Sequence, residues 1–457
     1  MRTIGIDLAV SAAHRAVVMA ADGQFVTPVL SFHARWEEIE QLVQRAREGA
    51  DPDLPLQAVM EPTGMAWFPV AVALQRLGVA LYLVNGQRVY DLRRFYKRHS
   101  SSDRLSAQVL AKMPLVDQES LHPLEIPSAS RLACQRGCKE LDRLQGQMTA
   151  IKNRLRDIDR FAWPGLEQIF RDIYSPRARF FRRTWYDPAQ VVGAGLGRFR
   201  ASFGTFAGQD QEVDWVERLF QLAIETLQLY GSTALDYILL QQQVCRELDH
   251  LAYLEQWADA VWRDTVRPLY RQLHPSRHLE TLYGVGEQGA AVYASFIGRA
   301  ERFSDQRHFR GWHGLIPDSR QSGDVEGKGL HISQAGPDLI KKFGYLNAQI
   351  ARQYDPQIAA IYYDQMVHKG NHHHQAVCAC ATHLLDRVYV VLKQDRPYEL
   401  RDVDHRSLTP EQARATIAQH YTVPSEVRQR SQRRARKARA ERRIERQHKP
   451  KGSCPRP

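Results

Sequence analysis

The first third of the chain sets its apolar residues in short, β-branched clusters. "RTIGIDLAV" and "HRAVVMA", separated by "SAA", predict adjacent strands of a hairpin, and "QFVTPVLSF" a third strand. "ARWEEIEQLVQRAREG" spaces its apolar residues at the helical period and ends at Gly49, so it predicts an amphipathic helix. "LQAVMEPTG" and "VALYLVNG" predict buried strands flanking the helix "WFPVAVALQRLG". Antiparallel strands followed by β-α-β units describe a mixed sheet with helices on its faces, an α/β domain over 1–122. "SSDRLSAQVLAKMP" predicts one short helix with Ser102 or Asp103 as N-cap and Pro114 behind it. Asp103 and Ser106 then share a helix face. Taken alone, Asp103 is a cap.

From Ile126 the apolar period lengthens. Leu141, Leu144, Met148, Ile151, Leu155 and Ile158 trace a heptad seam, and Leu240, Val244, Leu248 and Leu251 a returning arm, predicting an antiparallel or intersubunit coiled coil over 126–275. Between the arms, "SPRARFFRRTWYDP" interleaves Arg179, Arg182 and Arg183 with aromatics. Such mixing suits phosphate neutralisation plus base stacking, and equally a helix packed by its aromatics. Over 276–395 the pattern becomes a mostly α C-terminal domain. "LETLYGVGEQGAAVYASFIG" places a Gly-Val-Gly turn between helical stretches, in the manner of a helix-hairpin-helix or of a plain αα turn. "FRGWHGLIPDSRQSGDVEGKGLHIS" is a glycine-rich polar loop, and "VCACATHLLDRVYVVL" a last apolar helix. Residues 396–457 read as a linker and a basic, disordered tail. No fixed-period repeat is present.

Charge sharpens that last assignment. The net charge is +12, and the run from Arg428 to Pro457 carries 13 Lys or Arg against 2 Glu. Almost all the excess positive charge is therefore a property of the tail. Arg433, Arg434, Arg436 and Lys437 lie in this one-signed run, which has no apolar stripe and should neutralise nucleic-acid phosphates without reading bases. Six cysteines are scattered too widely for a disulfide framework, which suits a reducing compartment. Cys134 and Cys138 lie a turn apart, and "NHHHQAVCACATH" gathers histidines with Cys378 and Cys380, but a helix with one packed face explains that run better than a metal site. No run of about 18 apolar residues appears, so no membrane-spanning helix is expected. An acid inside the N-terminal apolar run is foreign to a signal peptide, so the expectation is a cytoplasmic protein.

Three acids stand where chemistry is assembled in open α/β sheets, at strand ends. Asp7 closes the first strand, Glu61 the strand "LQAVM", and Asp103 opens the helix after a third strand. Clustered carboxylates repel unless a cation holds them, and oxygen-only ligation suits Mg²⁺ or Mn²⁺. A sugar-kinase phosphate loop is excluded, because Ala9 and Val10 stand where glycine and hydroxyls would be needed.

"GIDLAV", "MEPTG", "LVNGQRV" and "SDRLSAQVLA", in this order, resemble the catalytic domain of the insertion-sequence 110/1111 family of DEDD transposases. "RLACQRGCKELDRLQGQMTAIKNRL" is similar to the family's helical segment, and "LYGVGEQGAAVYASFIGRAERFSDQRHFRGWHGLIPDSRQSG" to its C-terminal domain. The resemblance covers about residues 1 to 395. It implies an RNase-H/RuvC-like fold, metal held by Asp7, Glu61 and Asp103, and a serine nucleophile at Ser322, with Arg320 and Lys328 able to stabilise charge in the transition state. It further implies a DNA recombinase that pairs with a guide RNA and works as a homo-oligomer, a dimer or tetramer, whose active sites combine domains of different subunits. The family's fourth acid falls on Ser106, so a hydroxyl stands where a carboxylate is expected, and a second metal should be the first to weaken. Two alternatives share these residues: a nucleic-acid-binding protein weakened in catalysis, and a hydrolytic RuvC-like junction resolvase.

Overall fold

The structure is a computed structural model that describes residues 1–434 apart from 52, 85, 97–102, 119–120, 122, 207–213, 232, 317–320, 323–324, 327–331 and 334. Residues 435–457, with Arg436 and Lys437, lie outside the described residues, as do Arg320 and Lys328. The chain divides into two compact units, Met1–Ser128 and Ala129–Pro457.

The first unit is a mixed sheet with helices on both faces. Its strands are β1 (Arg2–Asp7), β2 (His14–Met19), β3 (Leu30–Phe32), β4 (Leu56–Met60) and β5 (Ala80–Leu83), in the order β3-β2-β1-β4-β5. β2 runs antiparallel to β1 and β3, whereas β1, β4 and β5 are parallel. Helices α1 (Trp36–Arg47), α2 (Trp67–Arg76), α3 (Gly86–Tyr96) and α4 (Asp103–Val116) complete it. In α1, Glu37 and Glu38 occupy the first turn and Arg45 and Arg47 the last, which suits the helix dipole. The third strand is shorter than the pattern "QFVTPVLSF" implies: Pro28 cannot donate to a ladder, and Phe25 retains only an isolated bridge to Met19. Pro114, expected behind α4, lies inside it, and Asp117 N–H still reaches Met113 O at 2.9 Å. A proline this close to a C-terminus costs few further helical bonds.

The period-two rule divides the sheet's side chains. Ile4, Ile6, Ala58 and Met60 join Ile39, Leu42, Val70 and Leu74 in the core beneath α1 and α2. The opposite face carries Thr3, Gly5 and Asp7 on β1. α4 lies on this face so closely that a Cβ at Gly5 would collide with Ala107 O and Ala111 N.

In the second unit, α5 (Ala129–Ala162) is followed by α6 (Pro176–Thr184), α7 (Pro188–Ser202), α8 (Asp214–Tyr230) and α9 (Tyr237–Val261). Arg154 pairs with Glu247, while Arg143 stacks over Trp257, so α5 and α9 run antiparallel within one chain. Leu144, Met148, Ile151 and Leu155 share a core with Val244, Leu248 and Leu251. The aromatic-basic segment forms α6, capped by Ser175, and its aromatics face inward: Phe181 and Tyr186 are buried. Arg182 is 0% exposed and pairs with Asp159, which also accepts from Tyr186 Oη at 3.1 Å.

The C-terminal part comprises α10 (Arg267–Leu273), α11 (Glu287–Ile297), α12 (Gln306–His313), the two-residue strands β6 (Gln321–Ser322) and β7 (Val325–Glu326), α13 (Asp338–Ala351), α14 (Pro356–Tyr363), α15 (His373–Gln394) and α16 (Pro410–His420). Helix α15 reaches the length and hydropathy of a membrane span, contrary to the sequence expectation. Its Leu384, Leu385 and Val388 lie in the apolar core with Ile340 and Ile358. Residues 396–434 are more than a linker: Leu400 and Ala413 are buried, and Val423 joins the same core.

Removing the Asp159 carboxylate would strand a fully buried guanidinium. Asp159→Ala should therefore destabilise the second unit by about 3–5 kcal/mol, read by urea unfolding, and Asp159→Ala with Arg182→Met should recover much of the loss.

Candidate functional site

The acids of the first unit are arranged by strand register. β1 and β4 pair Thr3 with Gln57, Gly5 with Val59 and, last, Ile6 with Met60, so Asp7, the last residue of β1, and Glu61, the residue following β4, are the next residues along the same register. Gln57 Nε2 donates to Thr3 Oγ1 at 2.8 Å, a buried bond that fixes this register two pairs away. Neighbouring strands lie about 4.8 Å apart, so the two carboxylates emerge side by side. Beyond Asp7 the chain turns, and His14 Nδ1 accepts the Ala9 N–H at 3.1 Å. Burial pushes the His14 imidazole below its usual range, which keeps it neutral and able to accept that bond.

Glu61 meets the start of α3. A Cβ on Gly86 would stand 2.6 Å from Glu61 Oε1, so glycine leaves the space in which this carboxylate lies against a helix N-terminus. α4 supplies the third side. Asp103 is its first residue, and its side chain lies outside the described residues. Ser106, one turn on, is 2% exposed and accepts a hydrogen bond from Arg93 Nη1 of α3 at 3.0 Å. Among the described residues no group of three or more His, Cys, Asp or Glu side chains gathers. The described donors, two carboxylates on adjacent strand ends, are hard oxygen ligands that fit one divalent cation of the Mg²⁺ class.

Ser322 belongs to the second unit. It ends β6 and pairs with Val325 of β7, a short hairpin inside the segment between α12 and α13. The feet of that segment are pinched together. Gly314 and Gly336 both have positive φ, +67° and +75°, and a Cβ on either would strike the other foot, at Ala335 O and Trp312 O. Ser333 N–H also bonds to Ile316 O at 2.9 Å. Beneath the feet, His313 is 0% exposed; its Nδ1 accepts from Leu315 N–H at 3.1 Å, and its Nε2 has no partner among the described residues. Burial pushes this imidazole down to about 4.

The basic residues sort differently from the sequence expectation. Arg182 is committed to Asp159 and cannot also face a phosphate, which corrects its assignment as a nucleic-acid contact. Arg179 forms a bidentate pair with Glu255, and Arg183 pairs with Asp249 at the surface. Arg433 is exposed, and Arg434 Nη1 donates to Gly370 O at 3.2 Å. Ser431, buried, accepts the His373 N–H at 3.0 Å, so the root of the basic arm is docked at the start of α15. The histidine run serves local structure: His372 caps α15, and His373 hydrogen-bonds with Tyr362 and Gln349.

Residues 4–164 match the DEDD transposase family of IS110 elements, and residues 276–363 the transposase family IS116/IS110/IS902. The chain belongs to the IS110 family of transposases. The first match contains Asp7, Glu61, Asp103 and Ser106, and the second contains Ser322. The chain is also 24% identical over 151 residues to the pilin gene-inverting protein of Moraxella bovis, a match covering 31% of this chain and 47% of that protein. The matched region thus spans about half the length of that relative. Sequence reasoning missed two features of this IS110-family chain, Arg93 and the docking of the arm, because both depend on contacts between elements distant in sequence.

Because the folded-state value of His313 lies below that of an unfolded histidine, near 6.5, the unfolded state binds the proton first. The stability held by its neutral form is complete above about pH 6.5 and is lost as pH falls toward 4, by on the order of 3 kcal/mol. His274, His373 and His383 are lowered in the same sense. The readout is therefore the difference in thermal unfolding between wild type and His313→Asn, which should narrow on acidification.

Proposed function

We propose that this IS110-family chain is a DNA recombinase that cuts and rejoins strands through Ser322. The observation that supports the reading is the parallel pairing of β1 with β4, whose neighbouring ends carry Asp7 and Glu61, within a chain whose two matched regions contain these acids and Ser322. The unit bearing the acids has the RNase-H/RuvC-like character of a mixed sheet with acids at its strand ends. Asp7, Glu61 and Asp103 would hold Mg²⁺ or Mn²⁺, which when bound supplies neutralisation of charge developing on phosphate oxygens.

The serine step balances without a further reactant. Ser322 Oγ forms a bond to phosphorus as the bond to one sugar oxygen breaks, and the hydroxyl proton ends on the departing oxygen. The phosphoserine diester keeps the energy of the broken bond. A hydroxyl on another strand reverses the step, restoring the serine and joining a new pair of strands. A guide RNA would select the strands, and a homo-oligomer, dimer or tetramer, would bring the acids of one subunit to the serine of another. The basic arm from Arg428 onward, rooted at α15, would supply sequence-independent affinity for the DNA or RNA backbone.

A suicide oligonucleotide that traps cleaved strands tests the reading. Wild type should yield a covalent protein-DNA adduct, and Ser322→Ala none, with nucleic-acid binding retained. An adduct that survives in Ser322→Ala places the nucleophile elsewhere; cleavage without any adduct supports a hydrolytic resolvase, and binding without cleavage a binding protein.

Deleting residues 435–457 should weaken binding to all sequences alike and flatten the salt dependence, by about 0.9 in log-log slope for each lost phosphate contact on duplex DNA. An altered sequence preference at an unchanged slope would make the arm a reader of bases.

A further inference from the structure

In the site just described, the position that resemblance assigns to a fourth acid holds Ser106, and Ser106 is met by an arginine. Arg93 Nη1 donates to Ser106 Oγ at 3.0 Å, and Ser106 is almost wholly buried. Asp103, Ser106 and Ala107 share one stripe of α4, and Ala107 is the residue on which Gly5 of β1 rests. Asp7 follows Gly5 on the same face of β1, at the strand end adjoining that of β4, which Glu61 follows. The guanidinium is thus held on the stripe of α4 that packs toward β1, by the one side chain that differs from the expected acid.

The charges decide what can sit there. Two divalent ions in a phosphoryl-transfer site lie about 3.5–4 Å apart and need carboxylates to offset their repulsion. Here one carboxylate is replaced by a neutral hydroxyl and a permanent cation is added, so a second divalent ion would lose one favourable partner and gain an unfavourable one. A guanidinium carries its charge at every working pH and presents a planar fork that matches phosphate oxygens. Among the described residues no ion pair takes up the charge of Arg93, and its remaining N–H donors are not spent on Ser106.

We propose that Arg93 is the resident cation of the carboxylate site: seated on Ser106, it replaces a second divalent ion, so that the site binds one metal and Arg93 binds a non-bridging oxygen of the DNA phosphate. The inference rests on the reading of Asp7 and Glu61 as metal ligands, but neither Ser322 nor strand cleavage enters it.

The test counts Mn²⁺ bound to the full-length protein by electron paramagnetic resonance, as the difference from Asp7→Asn, with circular dichroism to check folding. Wild type should bind one ion, and Ser106→Asp, which keeps Arg93 as a partner for the new acid, also one. Arg93→Ala combined with Ser106→Asp should bind two. Two ions on wild type, or one on the double variant, would overturn the assignment of Arg93; none on wild type would overturn the metal site of the proposed function itself. If the double variant fails to fold, Ser106→Asp decides, since two ions there would also overturn the proposal. A second readout is DNA binding in Ca²⁺ against salt. Arg93→Gln should lower the log-log slope by about 0.9 and Arg93→Lys should restore it. An unchanged slope in Arg93→Gln would show that Arg93 touches no phosphate.

Discussion

The close approach of α4 to β1 is the contact on which the face that carries Asp7 depends. It exists because residue 5 has no side chain: a Cβ there would overlap the backbone of Ala107 and Ala111. The alternation of the strand does the rest. Ile4 and Ile6 bury themselves on the opposite face, and that burial fixes which way Thr3, Gly5 and Asp7 must point. A shift of one residue in the β1–β4 register would send Asp7 into the core beneath α1 and α2, where a carboxylate has no polar partner. The apolar face thus holds the polar face in place, and the buried Gln57–Thr3 hydrogen bond ties the two strands at the same register.

Arginines in this chain do two separate kinds of work. Arg154, Arg179, Arg183 and Arg200 of the long helices close on acids of the same unit, and Arg182 is the extreme case, wholly inside and bonded to Asp159. A buried pair of this kind contributes little net stability over apolar residues of the same volume, but leaving one partner alone is costly, so it ties α6 to α5 in one arrangement. The excess positive charge is concentrated beyond Arg428, on an arm whose root is held by Ser431 and Arg434 against the start of α15. The anchoring matters because it fixes where the basic run starts: on the reading proposed above, its affinity for nucleic acid would act near the start of α15.

Legibility in the sequence followed the range of the interaction. The hairpin of β1 and β2, the parallel β4 and β5, the two long arms and the acids at the strand ends all follow from period and local composition, and the structure has them. Pro28 shortened the third strand and Pro114 failed to end α4, because position within an element, which one sequence does not show, sets the cost of a proline. The aromatic-basic segment was ambiguous in kind: composition is the same whether an arginine meets a phosphate or Asp159, and only packing separates the two. Arg93 gave no local signal, since its partner lies across the α3–α4 connection. The fold of 396–434 was hidden for the opposite reason, a polar composition around a few anchors such as Leu400 and Val423.

The segment carrying Ser322 shows how a long polar loop is anchored at its base. Its feet cross at Gly314 and Gly336, each in a conformation that other residues adopt only with strain, over the buried His313. Loop-closure entropy rises only slowly with length, so once the feet are fixed the interior can be long at little further cost. Within the segment, Ser322 of β6 pairs with Val325 of β7. Two paired residues on each side make a marginal hairpin by themselves. On the reading proposed above, the backbone that carries Ser322 is thus positioned at two places, at the feet by the mutual approach of residues 312–314 and 335–336 and at Ser322 itself by its pairing with Val325.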